Sequence, residues 1–238
     1  MSHYAALDIE DLHFRYPDGT EALNGVNLHL HDGDRIGLLG PNGAGKSTLL
    51  LHLNGIHTPV SGSVSVYGMT VQKKTLREVR QRVGLIFQNP DDQLFCPTLY
   101  DDIAFGARQM GMADHDVSHR VHHAIEEVGL DQALLKKNVF HLSFGQKKLA
   151  SIATVLAMDA RILVFDEPTI GLDPRARKMI VKLLHHIGRT QIVASHDFGL
   201  LRDTCTRVAV LHQGRIVADG KPGEILDDDL LLKRYELS

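Results

Sequence analysis

From about residue 5 to residue 40 the chain alternates apolar with polar positions, as in LDIEDLHF and VNLHLHDGDRIGLLG, and Pro17, Gly19 and Gly33 interrupt the alternation. A period of two places the apolar set on one face of a strand, so this stretch predicts strands joined by turns. KSTLLLHLNG then has helical character ending at Gly55, and GSVSVYG returns to a strand between glycines. A helix is expected over about 74–82, leading to the apolar strand VGLIFQ. Further helices are expected over about 98–111, 115–129 and 144–158, as a helical insertion. RILVFDE, QIVASH and RVAVLHQG resume the strand pattern. A helix from about Pro174 to Ile187 separates the first two, with proline in its first turn, where the missing N–H is harmless. Short apolar runs alternating with helices indicate an α/β fold with a largely parallel sheet covered on both faces.

Composition narrows the partners. At 238 residues the chain can bury a sizeable core, and it is expected to form one compact unit, 1–238, with an inserted part at about 89–158 and a short tail at about 221–238. A net charge of −3 provides no overall basic field for a nucleic-acid backbone, so no nucleic-acid partner is expected. Cys96 and Cys205 are far apart and have no thiol neighbours, which suggests neither a disulfide framework nor a zinc site and fits a reducing cytoplasm. The longest near-apolar segment, LASIATVLAM, is ten residues, short of the roughly 20 that span a bilayer. With no signal pattern at its start, the chain is expected neither to cross a membrane nor to be exported on its own.

GPNGAGKST follows the strand RIGLLG and opens a helix, which is the context a phosphate loop needs. Gly40, Pro41, Asn42, Gly43, Ala44 and Gly45 would turn backbone N–H groups around phosphate oxygens. Lys46 would reach the β and γ phosphates, Ser47 would offer its hydroxyl to Mg²⁺, and Thr48 completes the motif. RILVFDEP ends a strand in two carboxylates. Asp166 is placed to hold Mg²⁺ through water, and Glu167 to orient or deprotonate the attacking water. His196 ends QIVASH and should reach the same sheet edge, within hydrogen-bonding range of a γ phosphate.

Together with HLSFGQKK, these residues resemble the nucleotide-binding subunit of ATP-binding-cassette (ABC) transporters. The match runs in order through Tyr16, Gly40 to Thr48, Gln88, Ser143 to Gln146, Asp166 and Glu167, GLD at 171–173, and His196. The resemblance implies a P-loop NTPase fold with an antiparallel β subdomain and an inserted α-helical subdomain. It implies a head-to-tail dimer that closes on two ATP molecules and reopens after hydrolysis. Each ATP would lie between the phosphate loop of one subunit and the turn of Ser143, Gly145 and Gln146 of the other. Tyr16 would stack under adenine, and Asp173 would link the two sites. Gln88 would connect metal and water to a transport subunit.

FQNPDDQLFCPTLYDDIAFG, Phe87 to Gly106, is further similar to the energy-coupling-factor ATPases, especially the cobalt and nickel importers. There the extended segment after the glutamine, including Gln93, would contact an integral membrane coupling subunit that works with a substrate-specific membrane subunit. The chain would then sit peripherally on the cytoplasmic face of the cell membrane, as a homodimer or a heterodimer. Vitamin importers share most of this segment. A soluble regulatory ABC protein is the reading of a different class; its relatives carry two cassettes in one chain or a long coiled-coil insertion, and this chain has neither. A nucleotide kinase would lack the Ser143 turn.

Two features stand outside that pattern. His115, His119, His122 and His123 project on one face of a helix, opposite Val117, Val121, Ala124, Ile125 and Val128, as suits a solvated face. Phe144 replaces the first of the two glycines common in the family's turn. It is expected to be tolerated if its backbone φ is negative and its ring points away from phosphate, into the helical insertion or across the dimer interface.

Overall fold

The computed structural model describes residues 5–237. A four-stranded antiparallel sheet takes β1 (Leu7–Arg15), β2 (Glu21–Leu30), β4 (Ser61–Val66) and β5 (Met69–Thr70), in the order β2-β1-β4-β5. A six-stranded sheet takes β3 (Arg35–Leu39), β6 (Val83–Ile86), β7 (Ile162–Asp166), β8 (Thr190–Ala194), β9 (Arg207–His212) and β10 (Arg215–Gly220). Its order is β10-β9-β3-β8-β7-β6, parallel except for the edge strand β10.

The parallel strands are buried on both faces, and the alternation within each strand divides two cores. In β7, Ile162 and Val164 join one core, while Leu163 and Phe165 join the other. The first core is closed by α1 (Lys46–Leu53), through Leu49, Leu50 and Leu53, and by Leu7, Ile9 and Val64 of the antiparallel sheet. The second is closed by α3 (Leu99–Gln109), α4 (Asp114–Glu127), α5 (Phe144–Leu156), α6 (Pro174–His186) and α7 (Phe198–Thr204). The helix α2 (Leu76–Arg82) leads directly into β6. β6 and β7 are sheet neighbours, with Val83 opposite Ile162, although the chain between them makes α3, α4 and α5.

The helix ends follow local chemistry. Thr98 caps α3 by accepting from the Asp101 N–H, and α5 opens on a reciprocal pair: Ser143 Oγ accepts from the Gln146 N–H while Gln146 Oε1 accepts from the Ser143 N–H. Observed bounds lie within two residues of those expected for these elements. Two features depart from the expectation. The helix α7 was not apparent in the sequence, and the tail, expected to hold a short helix, folds as two, α8 (Pro222–Leu226) and α9 (Asp229–Arg234).

On α4 the four histidines are exposed, while Val117, Val121, Ala124, Ile125 and Val128 are buried. Among the described residues, no group of three or more His, Cys, Asp or Glu side chains is arranged to hold a metal ion. No described helix is long and apolar enough to cross a membrane.

Candidate active site

Adjacent strands β3, β8, β7 and β6 all point their carboxyl ends to one edge of the sheet. The chain leaves β3 into the phosphate loop, β8 into Ser195 and His196, β7 into Glu167, and β6 toward Gln88. Ligands bind at this edge in open α/β sheets. A cleft of about 560 Å³ opens there, lined by Tyr16, Pro41, Asn42, Gly43, Gly45, Lys46, Ser47, Thr48, Gln88, Asp166, Glu167 and His196. Thr20, Glu21, Ala22 and Ile170, which the motifs did not indicate, complete the wall.

Steric limits shape the loop. A Cβ on Gly40 would stand 2.3 Å from the Leu211 carbonyl oxygen, so no side chain fits where the loop leaves the sheet. Gly45 has φ +103°, and its Cβ would stand 2.5 Å from the Ala22 carbonyl oxygen. Ala44 is buried, while its carbonyl accepts from the Gly214 N–H at 3.0 Å, which braces the loop from behind. Lys46 Nζ donates to the carbonyls of Gly40 at 2.6 Å and Pro41 at 3.2 Å. Burial pulls its pKa down, against the opposing pull of Glu167 and Asp166.

The carboxylates differ in surroundings. Asp166 is buried and its Oδ1 accepts no hydrogen bond. Burial pushes its pKa up and the Glu167 charge adds to that rise, while the Ser47 hydroxyl, Lys46 and Lys148 pull it down. An unpartnered buried carboxylate oxygen beside a serine hydroxyl is a donor set that suits a hard divalent cation.

Glu167 is held in the left-handed region, φ +44°, a conformation that costs about 1 kcal/mol or more for a residue with a Cβ. Its N–H donates to the Ala194 carbonyl at 2.9 Å. Ser195 Oγ donates to Oε2 at 3.1 Å, and His196 Nδ1 lies 2.9 Å from Oε1. The His196 side chain is 59% exposed, so it can reach a ligand while it orients the carboxylate.

Tyr16 stands at the mouth, its OH 2.8 Å from Thr48 Oγ1 and its ring edge-on to Phe14 and His57. Beneath them His52 is buried, with Nδ1 2.8 Å from the Thr48 carbonyl, so Nδ1 carries the proton and donates. Burial pushes its pKa down to about 4 despite that bond, and His57 adds to the fall. The unfolded ring binds its proton first as pH drops. The stability from the neutral buried ring is therefore complete above about pH 6.5 and is lost as pH falls toward 4, by about 3 kcal/mol in all. Urea midpoints of the wild type and His52→Asn, whose amide nitrogen can replace Nδ1, should show a shallower fall in the variant between pH 7 and 4.5.

Of the expected site residues, Gly40 and Ala44 are buried behind the cleft wall, and Ser143, Gly145, Gln146 and Asp173 lie outside the cleft. Ser143 starts α5 as an exposed cap, and exposed Asp173 caps α6, with Oδ1 accepting from the N–H groups of Arg175 and Ala176 at 2.9 Å each. The cleft within one chain therefore has a phosphate loop but no Ser143 turn. Phe144 occupies the first position of α5 without positive φ. Its ring does not enter the helical insertion but lies against the loop after Glu167, with Cε1 3.2 Å from where a Cβ on Gly171 would be.

A family model described as ABC transporter matches residues 23–170, well over half of the chain. The chain belongs to the ABC transporter family. It is 44% identical over 236 residues to the energy-coupling factor transporter ATP-binding protein EcfA of Methanocaldococcus jannaschii, covering 97% of this chain and 84% of that protein. It is 45% identical over 238 residues to EcfA of Methanococcus maripaludis, covering 98% and 85%. A solved structure of cbiO1 from Clostridium perfringens, described as part of the ABC transporter complex cbiONQ, superposes with TM-score 0.84 at 37% identity, covering 98% of this chain and 95% of that one. The protein is thus an ABC ATPase, with the P-loop NTPase cassette fold, that binds ATP and hydrolyses it to power transport.

Lys148, the last residue of HLSFGQKK, also belongs to this ABC site although it was given no role in the sequence. Its side chain is fully buried, and Nζ donates to the carbonyls of Phe87 at 3.3 Å and Glu167 at 3.4 Å. A signal existed: on α5 Lys148 shares a face with Ser151, Ile152 and Val155, all buried, so a lysine interrupts an inward stripe.

Proposed function

We propose that this chain is the ATP-binding subunit of an energy-coupling-factor importer on the cytoplasmic face of the cell membrane, driving uptake of a transition metal ion, cobalt or nickel. The observation that carries the reading is near full-length similarity to EcfA proteins together with a cbiO1 structure at 37% identity. A second feature supports membrane docking. Phe95 and Phe105, 62% and 42% exposed, meet edge-on with ring centroids 5.0 Å apart beside a hollow of about 250 Å³ that Ile56, Phe87 and Met158 also line. Exposed aromatics around a concavity suit an apolar helix of a partner subunit. Gln93 lines the same hollow, but its amide is used internally: Oε1 accepts from the Phe87 N–H, and Nε2 donates to the Ser151 carbonyl and Thr154 Oγ1 at 2.8 Å each.

In this reading two chains associate head to tail, and each cleft is completed by Ser143, Gly145 and Gln146 of the other chain, with Asp173 near the seam. Lys46 and the loop N–H groups hold the phosphates, and Tyr16 supports the adenine. Ser47, Asp166 and Gln88 would hold Mg²⁺, which when bound neutralises charge on the β and γ phosphates. Glu167, fixed by Ser195 and His196, orients water toward the γ phosphate and takes its proton, while His196 steadies the phosphate.

Co-purification of the tagged chain from native membranes should recover an integral membrane subunit, and vesicles containing that complex should accumulate radiolabelled cobalt or nickel when ATP is inside the cytoplasmic compartment. Uptake of a vitamin with no metal transport would overturn the cargo assignment. Recovery of soluble partners alone would overturn the importer.

A further inference from the structure

A fully buried lysine that meets no carboxylate oxygen within hydrogen-bonding distance is costly, and both of its bonds go to backbone carbonyls at the site's edge. Those carbonyls are not equivalent to any others. One belongs to Phe87, the residue before Gln88, whose N–H is held by Gln93 at 3.2 Å, so the peptides flanking Phe87 are tied on both sides. The other belongs to Glu167, whose left-handed backbone is pinned at its N–H by Ala194 and whose carbonyl accepts from the Ile170 N–H at 3.3 Å as well as from Lys148, the side chain that links it to α5. The adjacent Lys147 reaches Asp91 at 2.6 Å, a second tie between α5 and the segment after Gln88. The helix that carries these ties begins at Ser143.

We propose that Lys148 is a positioning residue for hydrolysis: bridging the Phe87 and Glu167 carbonyls, it sets Gln88 and the strained Glu167 relative to each other and ties both to the helix that presents Ser143. Movement of the Phe87 to Gly106 segment then reaches the chain's own cleft and the Ser143 turn together. Burial pulls the Lys148 pKa down to about 8, against the opposing pull of Asp166 and Glu167. Neither Lys147 nor Gln93 can substitute, because neither reaches Glu167.

The inference rests on the roles assigned above to Gln88 and Glu167. The test uses the full chain at concentrations where ATP drives association. Phosphate release, ATP affinity by fluorescent-analogue displacement and thermal midpoint are measured for wild type, Lys148→Met, Lys148→Gln, Lys148→Arg and Glu167→Gln. Lys148→Met should keep ATP affinity within about threefold and lower kcat about 10- to 100-fold, since a misplaced catalytic group costs about that much. Lys148→Gln, a shorter neutral donor, should fall between, and Lys148→Arg should recover most of the turnover. A purely structural lysine would not divide kcat from affinity in this order. Folded Lys148→Met or Lys148→Gln with wild-type kcat overturns the inference, and so does failure of both to fold, which would mark the lysine as structural. Wild-type turnover in Glu167→Gln would instead remove the assignment on which the inference stands.

Discussion

Glu167→Gln should bind ATP and associate as the wild type does, yet hydrolyse about 10² to 10⁴ times more slowly. The amide preserves the shape of the side chain, and its oxygen can still accept from Ser195 Oγ, now at 3.1 Å from Oε2. The fold should therefore hold. What disappears is a base with its oxygen 2.9 Å from His196 Nδ1 and its backbone fixed in the left-handed region. An amide cannot take a proton from water, so the loss falls on the chemical step while Lys46 and the loop N–H groups continue to hold the phosphates. Phosphate release under saturating ATP measures kcat, and gel filtration with ATP measures association. The expected pattern is an ATP-locked dimer with little turnover. Undiminished turnover would take Glu167 out of its role.

The parts of the site that sequence made legible are those whose chemistry is local. A phosphate loop needs its glycines at fixed spacing because Gly40 and Gly45 have backbone oxygens at 2.3 and 2.5 Å from any Cβ, and that constraint is written into nine consecutive residues. Asp166, Glu167 and His196 were legible because strand ends in a parallel sheet share an edge. Lys148 was passed over because two successive lysines on a helix invite a solvated reading, although its place on the stripe of Ser151, Ile152 and Val155 marks it; 100° of rotation points Lys147 toward Asp91 and Lys148 into the core. The direction of Phe144 and the inward turn of the Gln93 amide depend on chain that is distant in sequence, at Gly171 and at Ser151 and Thr154. The helix α7 was hidden by Gly199 in its first turn, which lowers helix propensity, although Asp197 caps it by accepting from the Leu200 N–H at 3.0 Å.

Ser143→Arg is the counterpart of the first substitution, because Ser143 lies outside the cleft of its own chain. Arginine at this exposed cap removes a hydroxyl and puts a bulky cation where the γ phosphate of a second chain's ATP would lie. Turnover should fall about 10²- to 10³-fold, the range found when one preorganised donor to a developing charge is lost. The cap itself contributes about 1 kcal/mol, so the protein should remain folded. Mixing decides whether the sites are shared. In a dimer of one Ser143→Arg and one Glu167→Gln chain, one cleft carries both lesions and the other carries neither. Equal amounts form the mixed dimer half the time, with one of its two clefts intact, so activity should return to roughly a quarter of wild type if the clefts act independently. Two inactive proteins that regain turnover only when mixed require Glu167 of one chain and Ser143 of another to meet at one ATP. If the mixture stays inactive while size measurements show that mixed dimers form, the two clefts either do not exchange these groups or cannot fire singly. A further control separates those cases: wild type mixed with Glu167→Gln reports whether one intact cleft turns over when its neighbour cannot. Turnover in that control with none in the complemented mixture would exclude the shared site.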